Sequence, residues 1–140
     1  MKLLSRGICA AGLMWIAGAA LAGQGPTLRC DFSAAGEDMT LSFRPVDNPY
    51  TVPVTPITHR FGFKAVLLRG KGSALESVIL YAYATGPEKP LLLQRSHYAD
   101  PLVADGQDRF ALTGHQTVYS PGLERVLSYG CVLLGENHAP

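Results

Sequence analysis

Cysteine and histidine are the side chains that do chemistry near neutral pH without a cofactor, as thiolate nucleophile, general base or metal ligand. The chain holds Cys9, Cys30 and Cys131, and His59, His97, His115 and His138. Their spacing argues against a ready-made centre. The histidines lie 38, 18 and 23 residues apart, and no H-x-H, H-E-x-x-H or C-x-x-C occurs. A metal site would have to be assembled across strands from His59, His97 and His115, and a metal-binding or metal-delivery protein is one alternative reading. A methionine-rich copper site is excluded, because Met39 is the one methionine beyond the first 22 residues. Asp100, Asp105 and Asp108 in "DPLVADGQD" lie close together, but they lack EF-hand spacing and a closing glutamate. No cofactor or metal is expected.

Catalytic signatures are equally sparse. There is no G-x-S-x-G. A Ser–His–Asp set built on His97 and Asp100 can be drawn, as it can in most chains of this length, so it carries no weight. "RGKGS" at 69–73 has glycines and a lysine but not the phosphate-loop spacing, and it reads as a hairpin turn. The expected protein is not an enzyme.

Recognition chemistry is better represented. Phe61 and Phe63 claim the core side of a strand at 59–69, which places Arg60, Lys64, Val66 and Leu68 on its other face. The next strand, "SVILYAYAT" at 77–85, is apolar on both parities. Either Val78, Leu80, Ala82 and Ala84 point inward, or Ile79, Tyr81 and Tyr83 do, and a slip of one residue exchanges the two sets. In the first register Tyr81 and Tyr83 lie outside beside Arg60 and Lys64, with His97 or Tyr98 joining from the following strand. Tyrosine and arginine dominate interface hot spots, so that face would suit a partner. The alternative is that both faces of this central strand are covered, with the tyrosine hydroxyls reaching water at the rim.

These residues need a scaffold, and its compartment is written at the start of the chain. "MKLLSRGICAAGLMWIAGAALAG" opens with Lys2 and Arg6, continues as an uncharged apolar run, and closes on Ala20-Leu21-Ala22. That pattern predicts a cleavable secretory signal over 1–22 and a periplasmic or secreted product. The run is short for a spanning helix, which needs about 20 residues, and no membrane span is expected after cleavage. Taking 22 from 140 leaves 118 residues, enough for one domain over 23–140. Lys2 and Arg6 are the leader's share of 12 basic residues and it holds none of the 11 acidic ones, so the remainder has 10 against 11, net −1. That balance gives no electrostatic footprint for nucleic acid or for anionic lipid.

Cleavage also removes Cys9. Cys30 and Cys131 remain as an even pair in an oxidising compartment. Cys30 shares its parity with Leu28 and Phe32, and Cys131 with Leu127, Tyr129 and Leu133. Two inward cysteines on the first and last strands predict a structural disulfide. Alternation at 39–43, 59–69, 90–98, 116–120 and 124–134, with Gly and Pro between, predicts an all-β fold of about seven short strands. The expected architecture is a small antiparallel β-sandwich of Ig-like or Greek-key type, with a small β-barrel as the alternative.

One connection stands apart. "PVDNPYTVPVTP" at 45–56 carries Pro45, Pro49, Pro53 and Pro56, which favours an extended path with few ladder donors. It reads as a crossover between sheets. Its sharper reading is a presented segment with Tyr50 at the tip, which would suit an inhibitor or immunity protein acting on a wall-directed enzyme. Residues 135–140 read as a tail. The expectation that accommodates most of these features is an exported, non-catalytic binding or accessory module for an envelope protein or a small ligand.

Overall fold

The structure, a computed structural model, describes residues 25–72, 74–122 and 125–136. The expected leader, 1–22, and the last four residues of the expected tail lie outside the described residues. Eight strands are formed: β1 Thr27–Ala34, β2 Glu37–Phe43, β3 Thr55–Pro56, β4 Phe61–Arg69, β5 Leu75–Ala84, β6 Leu91–Ala99, β7 Gln116–Ser120 and β8 Arg125–Leu134. They make two four-stranded antiparallel sheets, sheet A in the order β2-β1-β8-β7 and sheet B in the order β3-β4-β5-β6. The two sheets stay separate, so the fold is a sandwich and not a barrel. Among the described residues no helix is long and apolar enough to cross a membrane.

Sheet B is a meander. Sheet A is two hairpins joined by β1 and β8, so the last strand returns beside the first. The inward residues follow the alternation in the sequence: Leu28, Cys30 and Phe32 on β1, Leu127, Tyr129 and Cys131 on β8, Phe61, Phe63 and Leu67 on β4. On β5 the inward set is Val78, Leu80 and Ala82. Volume decides that register. Phe61 lies opposite Ala84 and Phe63 opposite Ala82. A tyrosine inside at either position would crowd two large rings into a space that one fills, and overpacked cores lose stability. Phe63 is fully buried and is the hub of the core. Its ring centroid lies 4.8 Å from Phe32, 5.1 Å from Tyr129 and 5.9 Å from Phe43.

Cys30 and Cys131 are directly opposite one another on β1 and β8, with Cα atoms 4.1 Å apart, and they form a disulfide. Both are fully buried. The bond joins neighbours within sheet A and does not run from sheet to sheet. What ties the sheets together, apart from apolar packing, is a chain of hydrogen bonds. The Tyr129 hydroxyl donates to Gln94 Oε1 (2.8 Å), Gln94 Nε2 donates to Gln116 Oε1 (3.2 Å), and Gln116 Nε2 donates to the Thr113 carbonyl (2.7 Å). Gln94 belongs to β6 in sheet B; Tyr129 and Gln116 belong to sheet A.

Burial pushes the Tyr129 phenol from 10.0 up to about 12; the nearby Tyr98 adds to the rise, and a hydrogen bond with Ser96 opposes it. A raised pKa in the folded state means that folding holds this proton more tightly. The contribution is complete below pH 10 and is lost as pH rises through 12. Between those values the wild type should lose about 2–3 kcal/mol more of its unfolding free energy than Tyr129→Phe does. Urea melts at pH 9.5 and 12 check this, and parallel losses in the two proteins would refute it.

The proline-rich crossover lies along the open edge of β4. The Val46 amide donates to the Leu67 carbonyl (3.1 Å), and Thr55 and Pro56 pair with Phe63 and Gly62 as β3. This two-residue strand is the addition to the expected seven, in a segment whose prolines limit its ladder. Such cover removes an edge that another chain could extend. The link from β6 to β7 performs a similar task for sheet A. Ala104 and Leu112 donate to the carbonyls of Leu133 and Cys131, and the Cys131 amide donates to Thr113 Oγ1 (2.8 Å). Phe110 packs against Gly130, where any Cβ would overlap its ring. The acidic run proves to be loop architecture: Asp105 and Asp108 accept from the amides of Gln107 (3.0 Å) and Phe110 (2.9 Å).

Candidate functional site

The inward alanine face of β5 leaves its tyrosines on the outer face of sheet B. Three adjacent cross-strand rows of that face are Gly62–Tyr83–Leu92, Lys64–Tyr81–Arg95 and Val66–Ile79–His97, and a fourth, Leu68–Ser77–Ala99, lies beyond them. The middle row is the chemical centre. Lys64 Nζ lies 5.7 Å and Arg95 Cζ 5.9 Å from the Tyr81 ring centroid, within cation–π range on both flanks. Tyr81 and Tyr83 stack with centroids 6.3 Å apart. Burial, and then the neighbouring Tyr81, raise the pKa of the Tyr83 phenol, so it stays a neutral donor. None of the three rows contains Asp or Glu. Val66 faces outward yet is 3% exposed, so the face is covered at that position, in a row with Ile79 and His97. Gly62 admits the crossover to the border of this face: a Cβ there would sit 2.6 Å from Val54 Cγ1.

Comparison with protein-family models, with curated proteins and with solved structures found no match. Lys64, Tyr81, Tyr83 and His97 share the outer face. Tyr98 does not: it pairs with Val78, has the opposite parity to His97, and packs against the core. Arg60 precedes β4 and stands at the end of the sandwich, its carbonyl accepting from Thr85 (2.7 Å). Tyr50 lies on a 3-10 turn, Pro49–Thr51, capped by Asn48, whose Oδ1 accepts from the Tyr50 amide (3.0 Å). It is 92% exposed. Arg95 and Leu92 are additions that the sequence reading missed. Arg95 shares its parity with His97, and that signal would have found it. Leu92 reaches the face because the β5–β6 register shifts between Ala82 and Tyr83.

The three histidines are not brought together. His97 is on the outer face of sheet B, His115 stands beside Phe110 against sheet A, and His59 lines a cavity at one end. Among the described residues no group of three His, Cys, Asp or Glu could hold a metal ion.

Hollows lie elsewhere on the sandwich, and two of them are lined by arginine and histidine. A groove of about 300 Å³ on sheet A is bordered by Asp31, Thr40, Arg109, Phe110 and His115. Three of its polar side chains are engaged with one another or with the ring beside them: Thr40 Oγ1 donates to Asp31 (2.7 Å), Arg109 pairs with Asp31 (3.8 Å), and the Arg109 guanidinium lies 4.7 Å from the Phe110 ring. The end cavity, of about 290 Å³, is lined by Thr58, His59, Arg60 and Phe61 together with Ala34, Ala35, Arg125 and Val126.

Proposed function

We propose that this chain is an exported, non-catalytic binding module whose outer sheet B face docks an acidic surface of an envelope protein. The observation that carries the reading is the row Lys64–Tyr81–Arg95, an aromatic ring flanked by two cations on an apolar ground free of carboxylates. Such a face offers a desolvated anchor and charge complementarity to an anionic partner. The buried disulfide fits an oxidising compartment, as does the leader pattern, and together they favour the periplasm or the exterior.

The test is recovery of a partner from envelope extract by the mature protein, compared with variants. Tyr81→Ala should weaken that complex by roughly tenfold or more, and Arg95→Glu should abolish it at moderate salt. Tyr119→Ala, an exposed tyrosine on sheet A, should leave it unchanged. Equal recovery by wild type and Tyr81→Ala would sink the proposal. Loss on Tyr50→Ala, with Tyr81→Ala unaffected, would move the docking site to the crossover and favour the inhibitor reading.

A further inference from the structure

The end cavity has a composition of its own. Its walls come from both sheets: the end of β1 and the turn after it contribute Ala34 and Ala35, the approach to β4 and its first residue contribute Thr58–Phe61, and the start of β8 contributes Arg125 and Val126. Two arginines and a histidine line it, and among the described residues no carboxylate does. Among the described residues neither cavity arginine takes part in an ion pair.

Arg60 is the unusual group. Its Nε is buried and has no hydrogen-bond partner. A guanidinium keeps its charge at any physiological pH, and a donor shut away from water without a partner is costly. The inner edge of this cation is therefore under-solvated. An anion reaching its outer nitrogens gains more from such a charge than from one fully hydrated in the open. Thr58 Oγ1 accepts from the amides of Arg60 and Phe61 (3.2 Å each), which leaves its hydroxyl hydrogen for another acceptor. Ala34, Ala35, Phe61 and Val126 supply an apolar wall opposite the charges.

We infer that this cavity binds an oxyanion, the carboxylate or phosphate group of a small ligand, with Arg60 and Arg125 on the anion and the apolar wall against its short hydrocarbon part. At about 290 Å³ the cavity is at the small end of ligand sites, which suits a group of a few heavy atoms. The inference is independent of the sheet B face, because Arg60 and Arg125 are outside its three rows.

The experiment is an NMR titration of the mature protein with sodium butyrate and, separately, with sodium phosphate, at ionic strength held constant with sodium chloride. Saturable shifts are expected at the amides of Ala34, Ala35 and Val126 and at the Arg60 Nε–H. Arg60→Gln should weaken binding about tenfold or more. Arg125→Gln should act in the same direction, and it decides the matter if Arg60→Gln does not fold. Saturation by butyrate alone assigns a carboxylate ligand, and saturation by phosphate alone a phosphate. Shifts that rise linearly with both anions, or unchanged affinity in the folded variants, overturn the inference.

Discussion

Replacing Cys30 and Cys131 together by alanine should lower the unfolding free energy by about 4 kcal/mol, within a range of about 2–5. The bond spans 101 positions, so in the unfolded chain it removes the closure entropy of a very long loop. It also joins β1 to β8, whose pairing brings together the most distant parts of the sequence in the described fold. Without the bond that pairing must close the loop unaided. A domain of this size has roughly 5–15 kcal/mol of stability in all, so the loss is a large part of it. The check is the urea midpoint of the double variant against the oxidised wild type. Thiol titration should accompany it: a wild-type chain beginning at residue 23, denatured but not reduced, should show no free thiol. A loss under about 1 kcal/mol, or two titratable thiols, would remove the disulfide from the account of stability.

Phe63→Ala should be comparably damaging, at about 3–5 kcal/mol. The ring is fully buried and touches Phe32 and Tyr129 from sheet A and Phe43 from the edge strand β2. Removing it forfeits its burial and three ring contacts and leaves a void between two sheets that cannot close independently. Phe43→Ala is the internal comparison. Phe43 shares the contact with Phe63 but is only partly buried on that edge, so its loss should be clearly smaller. Urea melts of both variants give the ordering. Equal losses would mean that Phe63 is not the centre of the core.

Strand parity made much of this fold legible. The inward faces of β1, β4 and β8 follow from alternation alone, and so does the pairing of Cys30 with Cys131, once Cys9 is assigned to a leader. The face of β5 was not legible, because both of its parities are apolar. Deciding it requires the volume of the opposing strand, and that lies in the contrast of Phe61 and Phe63 with Ala84 and Ala82 across the ladder. The candidate face inherits the same ambiguity. His97 and Arg95 could be read from one parity, whereas Tyr98 belongs to the other. Arg60 has the parity of the outer face but stands before the first paired row, and parity says nothing about where a ladder begins. The packing of Phe110 against Gly130 is a contact between segments twenty residues apart, with no local pattern to announce it.

The position of the Cys30–Cys131 bond also governs how the domain responds to tension. Thr27 pairs with Leu134, so the chain enters and leaves sheet A side by side. A pulling force applied through the segments that flank these two residues meets the covalent bridge three positions inside each strand. It passes directly from β1 to β8 there. The 101-position loop, with both of the proposed binding regions, lies off that path and stays folded while the bond holds. Pulled at those two points, the domain would act as a short link whose enclosed loop is mechanically shielded.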